Sequence, residues 1–405
     1  MKILPSLCID LGAAFTKIAI RANQNDTSIL LGDPGQSGDY QICIPSLALQ
    51  RVSTNSWLFG WELLDLDPAI YLESDDIRIF QNWKSNLFPA PGSGISVEEH
   101  QQAITCCREF IRALGGELIP MMLTLHPQFQ NLKLADFEAH ICVPEFVLDS
   151  GQAKIIDEIM AHAGFRKHGS YCISEPKSSL IGILTEGQNY LNNDGTPNVN
   201  YMFREFDLLE KLTSNEESVL FLDIGAFTTD FALTSLDGKH RAKVNEAAAA
   251  SYPYGIFELD RKVILALGDD FMKLIDESEA SFRENFHRFA YNCAEDDEII
   301  LRDGTELDNS AIGKCIDHFA NSIITSCEEF LKKYQSGNIE IAVLTGGGTI
   351  CSRISSRIAS ALDRFDILVV RAHENANVSS LDPISSELVR GSSAIGGTSV
   401  LYSLK

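Results

Sequence analysis

One stretch of this chain occurs twice. Leu7-Cys-Ile-Asp-Leu-Gly-Ala-Ala-Phe-Thr-Lys-Ile-Ala-Ile20 aligns without a gap on Leu220-Phe-Leu-Asp-Ile-Gly-Ala-Phe-Thr-Thr-Asp-Phe-Ala-Leu233, with Leu, Asp, Gly, Ala, Thr and Ala shared at the same offsets. In each copy an apolar run ends at an aspartate, a small-residue turn follows, and a second apolar run leaves. That pattern reads as a β-hairpin whose tip offers a carboxylate and backbone N–H groups to an anion. Its repetition implies two related halves facing each other.

At 405 residues the chain exceeds what one hydrophobic core usually serves, so two domains are expected. The formal charge of −23 argues against a surface that tracks a nucleic-acid backbone, which needs a concentrated basic face. Ten cysteines are scattered without a Cys-x-x-Cys pair, several inside apolar runs, and read as buried reduced thiols rather than a disulfide framework or zinc site. Pro5 and Asp10 interrupt the first apolar segment too early for a secretion signal, and no other run is long enough to span a bilayer. A cytoplasmic protein without a membrane partner is the expectation.

Along the chain, the first hairpin covers about residues 6 to 21, and Ile42–Leu49 and Ser56–Gly60 read as strands. Ser96 with Glu99 forms a capping box for a helix running to about Leu114. Gly115 to Asp136, with two prolines and little periodicity, reads as an irregular connection. Phe137–Pro144 reads as a strand, Asp149–Gly164 as one helix, and Tyr171–Pro176 as a short strand entering a proline-started helix. The polar stretch 187–217 reads as a linker or insertion, and the acidic stretch 268–310 as a small peripheral subdomain. A helix follows Tyr252-Pro-Tyr-Gly255, and Ala311 to Tyr334 has helical spacing. The strand Ile339–Leu344 meets Thr345-Gly-Gly-Gly-Thr349 and a helix beginning near Ile350, a place for phosphate or a nucleotide at a helix N-terminus. Small residues in Val389–Gly397 suit a helix packed closely on another.

Five of these pieces, in this order, resemble the actin, seventy-kilodalton heat-shock chaperone and sugar-kinase ATPase superfamily. They are a first phosphate hairpin (Asp10 to Lys17), a first connecting helix (Glu175 to Gly182), a second phosphate hairpin (Asp223 to Asp230), an adenosine motif (Leu344 to Gly348) and a second connecting helix (Val389 to Gly397). Ile44-Pro-Ser-Leu, Val143-Pro144, Ser174-Glu-Pro176 and Tyr254-Gly-Ile-Phe-Glu-Leu-Asp260 look most like the heat-shock chaperone ATPase domain, and Lys17 with Asp-x-Gly-x-x-Thr-Thr-Asp is similar to plasmid-segregation actins.

The resemblance implies an α/β fold of the actin-like, ribonuclease-H-like kind, with two lobes, each a mixed sheet flanked by helices, around a nucleotide cleft. Lobe I would span 1–186, with a peripheral part at about 40–115 and a closing C-terminal helix at 384–405, and lobe II would span 218–383. The chain ends where that ATPase domain would end, so the family's peptide-gripping domain is not expected. The implied ligands are ATP or ADP with Mg2+, and the implied partner is an unidentified protein or a second copy of the chain. Implied activities are a slowly hydrolysing chaperone-like switch, a filament-forming actin-like ATPase, or a nucleotide-binding scaffold without turnover.

By this resemblance Asp10, Asp223 and Asp230 would hold hydrated magnesium, and Glu175 would orient the attacking water with Asp223 and Lys84 as further catalytic groups. The phosphates would lie on Gly12, Ala13, Ala14, Lys17, Gly225, Ala226, Phe227 and Thr228, and the adenosine along Gly346, Gly347 and Gly348, where side chains would block the approach. Ala13 and Ala14 stand where the chaperones carry hydroxyl residues, and Ala226 and Phe227 replace a glycine pair. Phe227 would either crowd the phosphates or point away. Arg283 and Arg288 lie in the region where the chaperones grip adenine.

Overall fold

The structure is a computed structural model describing residues 4–23, 26, 28–33, 42–63, 75–89, 93–167, 169–183, 218–235, 247–268, 299–300, 306–307, 309–334, 337–371 and 391–399. The apolar runs that flank Asp10 form strands β1 (Ser6–Leu11) and β2 (Phe15–Arg21), paired antiparallel with Asp10 opposite Lys17. Every residue of β1 is buried, because helices or other strands cover both of its faces. Short strands β3 (Ile29–Leu30) and β4 (Ile44–Pro45) pair with β2. A separate three-stranded sheet holds β5 (Ala48–Arg51) between β6 (Ser56–Phe59) and β7 (Ile77–Phe80), followed by α1 (Trp83–Leu87).

Helix α2 (Val97–Ala113) starts at the expected capping box of Ser96 and Glu99. Its buried Ala103, Cys106, Cys107, Phe110 and Ile111 recur at helical spacing and face the first core. The segment expected to be irregular is largely helical instead. A π turn at Leu114–Leu118 leads into α3 (Ile119–Leu123), and a 3-10 turn occupies Leu134–Asp136. The widened turn relieves the clash that the Pro120 ring would make with the carbonyl four residues earlier, so the proline does not end the helix.

Strand β8 (Glu138–Val143) lies parallel to β1 and places Cys142 beside Asp10. The helix expected over 149–164 is α5 (Ala153–His162), and a further short helix, α4 (Glu145–Ser150), precedes it, the two being separated where Gly151 adopts a left-handed φ of 75°. β9 (Cys172–Ser174) runs parallel to β8 and passes directly into α6 (Glu175–Ile181), capped by the Ser174 side chain. The first sheet thus has the order β3-β2-β1-β8-β9.

The second large sheet repeats that plan. β10 (Ser218–Ile224) and β11 (Thr229–Ser235) form an antiparallel hairpin with Asp223 opposite Asp230, and β12 (Ala248–Tyr252) extends it antiparallel. After α7 (Ile256–Leu267), the short pair β13 (Ile299–Ile300) and β14 (Glu306–Leu307), and α8 (Asn309–Tyr334), strand β15 (Ile339–Thr345) lies parallel to β10. A 3-10 turn, α9 (Ser352–Asp363) and the parallel strand β16 (Leu368–Arg371) complete the order β12-β11-β10-β15-β16. Ile312, Ile316, Phe319, Ile323, Cys327 and Phe330 form one stripe of α8 over this sheet's core.

Residues 391–397 form the last helix among the described residues, α10. It follows the second sheet in sequence but ties to the first: Ser6 Oγ donates to the Thr398 carbonyl at 2.9 Å, and Cys142 Sγ to the Ser393 carbonyl at 3.4 Å. Conversely α6 follows the first sheet and packs on β10, β11 and β12 of the second. Leu180 and Ile183 with Ala394 and Ile395 join residues of both sheets in a third apolar cluster. The nine described cysteines are free thiols, eight of them buried. Residues 187–217 and Arg283 and Arg288 lie outside the described residues. Among the described residues no helix is long and apolar enough to cross a membrane.

Candidate functional site

The two hairpin turns are built differently but expose the same groups. In the first, the carbonyls of Gly12 and Ala14 accept from the Ser46 hydroxyl and amide at 2.7 and 2.9 Å. In the second, the carbonyls of Gly225 and Ala226 accept from the amides of Ile256 and Phe257, at the start of α7, at 3.1 and 2.9 Å. With their carbonyls tied back, the amides of Ala13, Ala14, Ala226 and Phe227 donate to no partner among the described residues. Such turns can accept an anion without breaking a structural bond.

Around these turns the structure collects four carboxylates and two ammonium groups. Lys17 Nζ sits 3.1 Å from Asp10 Oδ2, and Lys84 Nζ lies 3.0 Å from Glu175 Oε2 with both side chains largely buried. Ser179 Oγ donates to Asp223 Oδ2 at 3.3 Å. Thr228 Oγ1 donates to Asp230 Oδ2 at 2.8 Å, and the Ser251 hydroxyl donates to the other oxygen of Asp230. Asp10 Oδ1 is buried with no hydrogen-bond partner. Lys17 and Asp230 hold the same register position opposite Asp10 and Asp223, so one hairpin carries an internal counter-charge and the other a second carboxylate.

The charges feel one another. Burial, then the neighbouring Glu175 and Asp10 carboxylates, push Asp223 up to about 7. Burial also raises Asp230 well above the carboxylate range, helped by Glu175 and Asp223, while its hydroxyl partners oppose the shift. Burial raises Glu175 against the opposing pull of the Lys84 ammonium. For Lys17, burial favours the neutral amine, but Asp10 outweighs it and the pKa is raised. With all four carboxylates ionised, two negative charges would stand uncompensated by the two ammonium groups; the raised Asp223 and Asp230 relieve that excess by retaining protons. Among the described residues no three metal-ligating side chains converge on a single point.

The glycine run crosses the end of β10. A Cβ on Gly346, whose φ is 88°, would collide with Asp223 Oδ1 and lie 2.6 Å from the Ile224 carbonyl, and one on Gly348 would strike Ile224. The α-carbon of Gly347 faces open space. A 3-10 turn (Gly347–Ile350) takes in the last two glycines and leads into α9 at Ser352, two residues beyond the expected start near Ile350. The ring of Phe227 does not stand free in the turn. It packs edge-on to Phe146 of α4, centroids 6.5 Å apart, against the apolar core of the first sheet.

Sequence reading passed over Ser46, Ser179 and Ser251. Ser179 was accessible, since four residues after Glu175 it shares that residue's face of α6. Ser46 stands in the Ile44-Pro-Ser-Leu stretch, but its bond to the first turn, like that of Ser251 to Asp230, joins separate segments that no local pattern pairs. No family model matches the chain, and no curated protein matches it in sequence.

Proposed function

We propose that this chain has the actin-like ATPase fold and belongs with the superfamily of actin, the seventy-kilodalton heat-shock chaperones and sugar kinases. In this reading it binds ATP or ADP with magnesium between its two large sheets, hydrolyses ATP slowly, and works in the cytoplasm as a chaperone-like, nucleotide-driven switch. The observation that carries the reading is the matched pair of aspartates, Asp10 and Asp223, each at the end of the central strand of one of two sheets with the same strand order. The unpartnered Asp10 Oδ1 and the untied turn amides supply complementary halves of a metal–phosphate site.

In this site Asp10, Asp223 and Asp230 would hold magnesium through its waters. When bound there, it would neutralise charge on the phosphates. The amides of Ala13, Ala14, Ala226 and Phe227 cradle phosphate oxygens, and Gly347 leaves room for the adenosine. Glu175, fixed at the first position of α6 and held by Lys84, orients a water for attack on the terminal phosphate. Ala13 and Ala14 contribute no hydroxyl to the phosphates, which accords with slow turnover.

Titration calorimetry of the purified protein with Mg-ATP and Mg-ADP tests the reading. A saturable single-site isotherm, abolished by joint Asp10→Ala and Asp223→Ala substitution, is expected, and no binding of either nucleotide overturns it. The missing hydroxyls of the first turn also support a second reading, a nucleotide-binding scaffold without turnover. Phosphate release that is lost in Glu175→Ala rejects that one.

A further inference from the structure

We propose that Ser251 is a positioning residue whose hydroxyl clasps the two halves of the molecule and orients Asp230 only while they are docked. Ser251 lies on β12, directly opposite Asp230 in the strand register. Its single hydroxyl proton goes to Asp230 Oδ1, while its oxygen accepts from the backbone N–H of Glu145 at 2.8 Å. Glu145 is the first residue of α4, on the side of the first sheet, and its amide is one of the four that a helix cannot satisfy internally. One hydroxyl thereby joins a carboxylate of the second sheet to a helix end of the first.

The connection continues beyond α4. The Glu145 carboxylate accepts from the hydroxyl of Ser174, the cap of α6, and stands 3.8 Å from Lys177 Nζ. The residue after that cap is Glu175. Next to the polar link runs an apolar one, since Phe227 of the second turn meets Phe146, the neighbour of Glu145. Thr228, which follows Phe227, holds the other oxygen of Asp230. Undocking α4 would remove the partner that fixes the Ser251 hydroxyl, and with it the rotamer that holds Asp230. The clasp therefore links the positions of Asp230 and Glu175 to the docking of α4.

The consequence for catalysis rests on the nucleotide reading above, but the contact itself does not. Hydrogen exchange of the full chain reads the contact directly. In Ser251→Ala the Glu145 amide should exchange about tenfold faster, as expected for one lost hydrogen bond of ordinary strength, and Ser251→Thr should restore protection. In ATP turnover, Ser251→Ala should lower kcat by about tenfold with KM changed far less, and threonine should recover it. Unchanged Glu145 protection in Ser251→Ala, or failure of threonine to restore it, overturns the clasp. A clasp that passes the exchange test in a protein that binds no ATP leaves this inference standing and removes the nucleotide reading. Equal loss of kcat and gain of KM, unrescued by threonine, assigns Ser251 a merely structural role and overturns the positioning claim.

Discussion

A β-carbon on Gly396 would stand 2.5 Å from the amide nitrogen of Gly182, so α10 and α6 touch backbone to backbone between the two sheets. It would also collide with the Ser178 carbonyl oxygen. Neither partner is a flexible side chain that can swing aside, so relief requires the helices to separate. Gly396→Ala should therefore destabilise the protein by about 2 kcal/mol or more, the scale of core overpacking. Gly347→Ala, where the added carbon meets open space, should leave stability nearly unchanged while weakening nucleotide binding. Denaturant unfolding of both variants checks the contrast.

The Lys84–Glu175 pair gives a second expectation. Both side chains are largely withdrawn from water, and the 3.0 Å contact is what offsets their desolvation. Lys84→Met leaves a buried carboxylate without its cation and should cost roughly 3–5 kcal/mol of stability. Adding Glu175→Gln to that variant removes the stranded charge and should recover much of the loss. A double-mutant cycle by thermal or urea unfolding measures the coupling, and additive single effects would show the pair to be energetically idle.

Local chemistry explains what the sequence disclosed. The hairpins around Asp10 and Asp223 are near-continuous apolar runs broken by glycine, and the Ser96–Glu99 cap is a fixed-spacing motif, so each is written within a dozen residues. The close-packed α10 was legible for the same reason, as a run of small residues. The π turn before Pro120 was not, because a proline reads as a breaker unless the widened turn is already known. The direction of the Phe227 ring was undetermined for a different reason: its partner, Phe146, is distant in sequence and the contact exists only after the sheets meet. The site followed the same division. Its carboxylates and glycines stand out in sequence, whereas the serines that hold them do so through tertiary pairings.

Burial also decides how the thiols react. Cys172 and Cys327 are pushed up to about 12 by desolvation, and Cys106, Cys107 and Cys142 are raised as well. Since the thiolate is the nucleophile, these groups carry almost none at pH 8. An aromatic disulfide reagent should therefore label the nine described cysteines of the native protein slowly, reaching the half-buried Cys315 before the buried ones, and titrate all ten cysteines in denaturant. Rapid labelling of Cys106 or Cys107 in the native state would contradict their place in the first core.

Stability should depend on pH through the acidic cluster, and the sign follows from Asp223. Its carboxyl is held up to about 7 in the folded protein by burial and by Glu175 and Asp10. In the unfolded chain it titrates near ~3.9. Between these values the folded protein retains a proton that the unfolded chain has released, so stability falls as pH rises through this window and levels off above about 7. Asp230 and Glu175, also raised by burial, act in the same direction. The carboxylates held low by hydrogen bonds, Asp76, Glu99, Glu258 and Asp317, act at the acidic edge of this window and below it, and His126, lowered by burial, opposes the trend as a smaller contribution from a partly exposed group. Without divalent metal the thermal midpoint should therefore be lower at pH 8 than at pH 5, and Asp223→Asn should flatten the difference. Magnesium competes with the proton for the same carboxylates, so its stabilising effect should be larger at pH 8 than at pH 5. Scanning calorimetry at the two pH values, with magnesium or with chelator, measures both slopes. An equal gain at both pH values would mean that the cation does not meet the ionised Asp223, and would remove it from the proposed metal site.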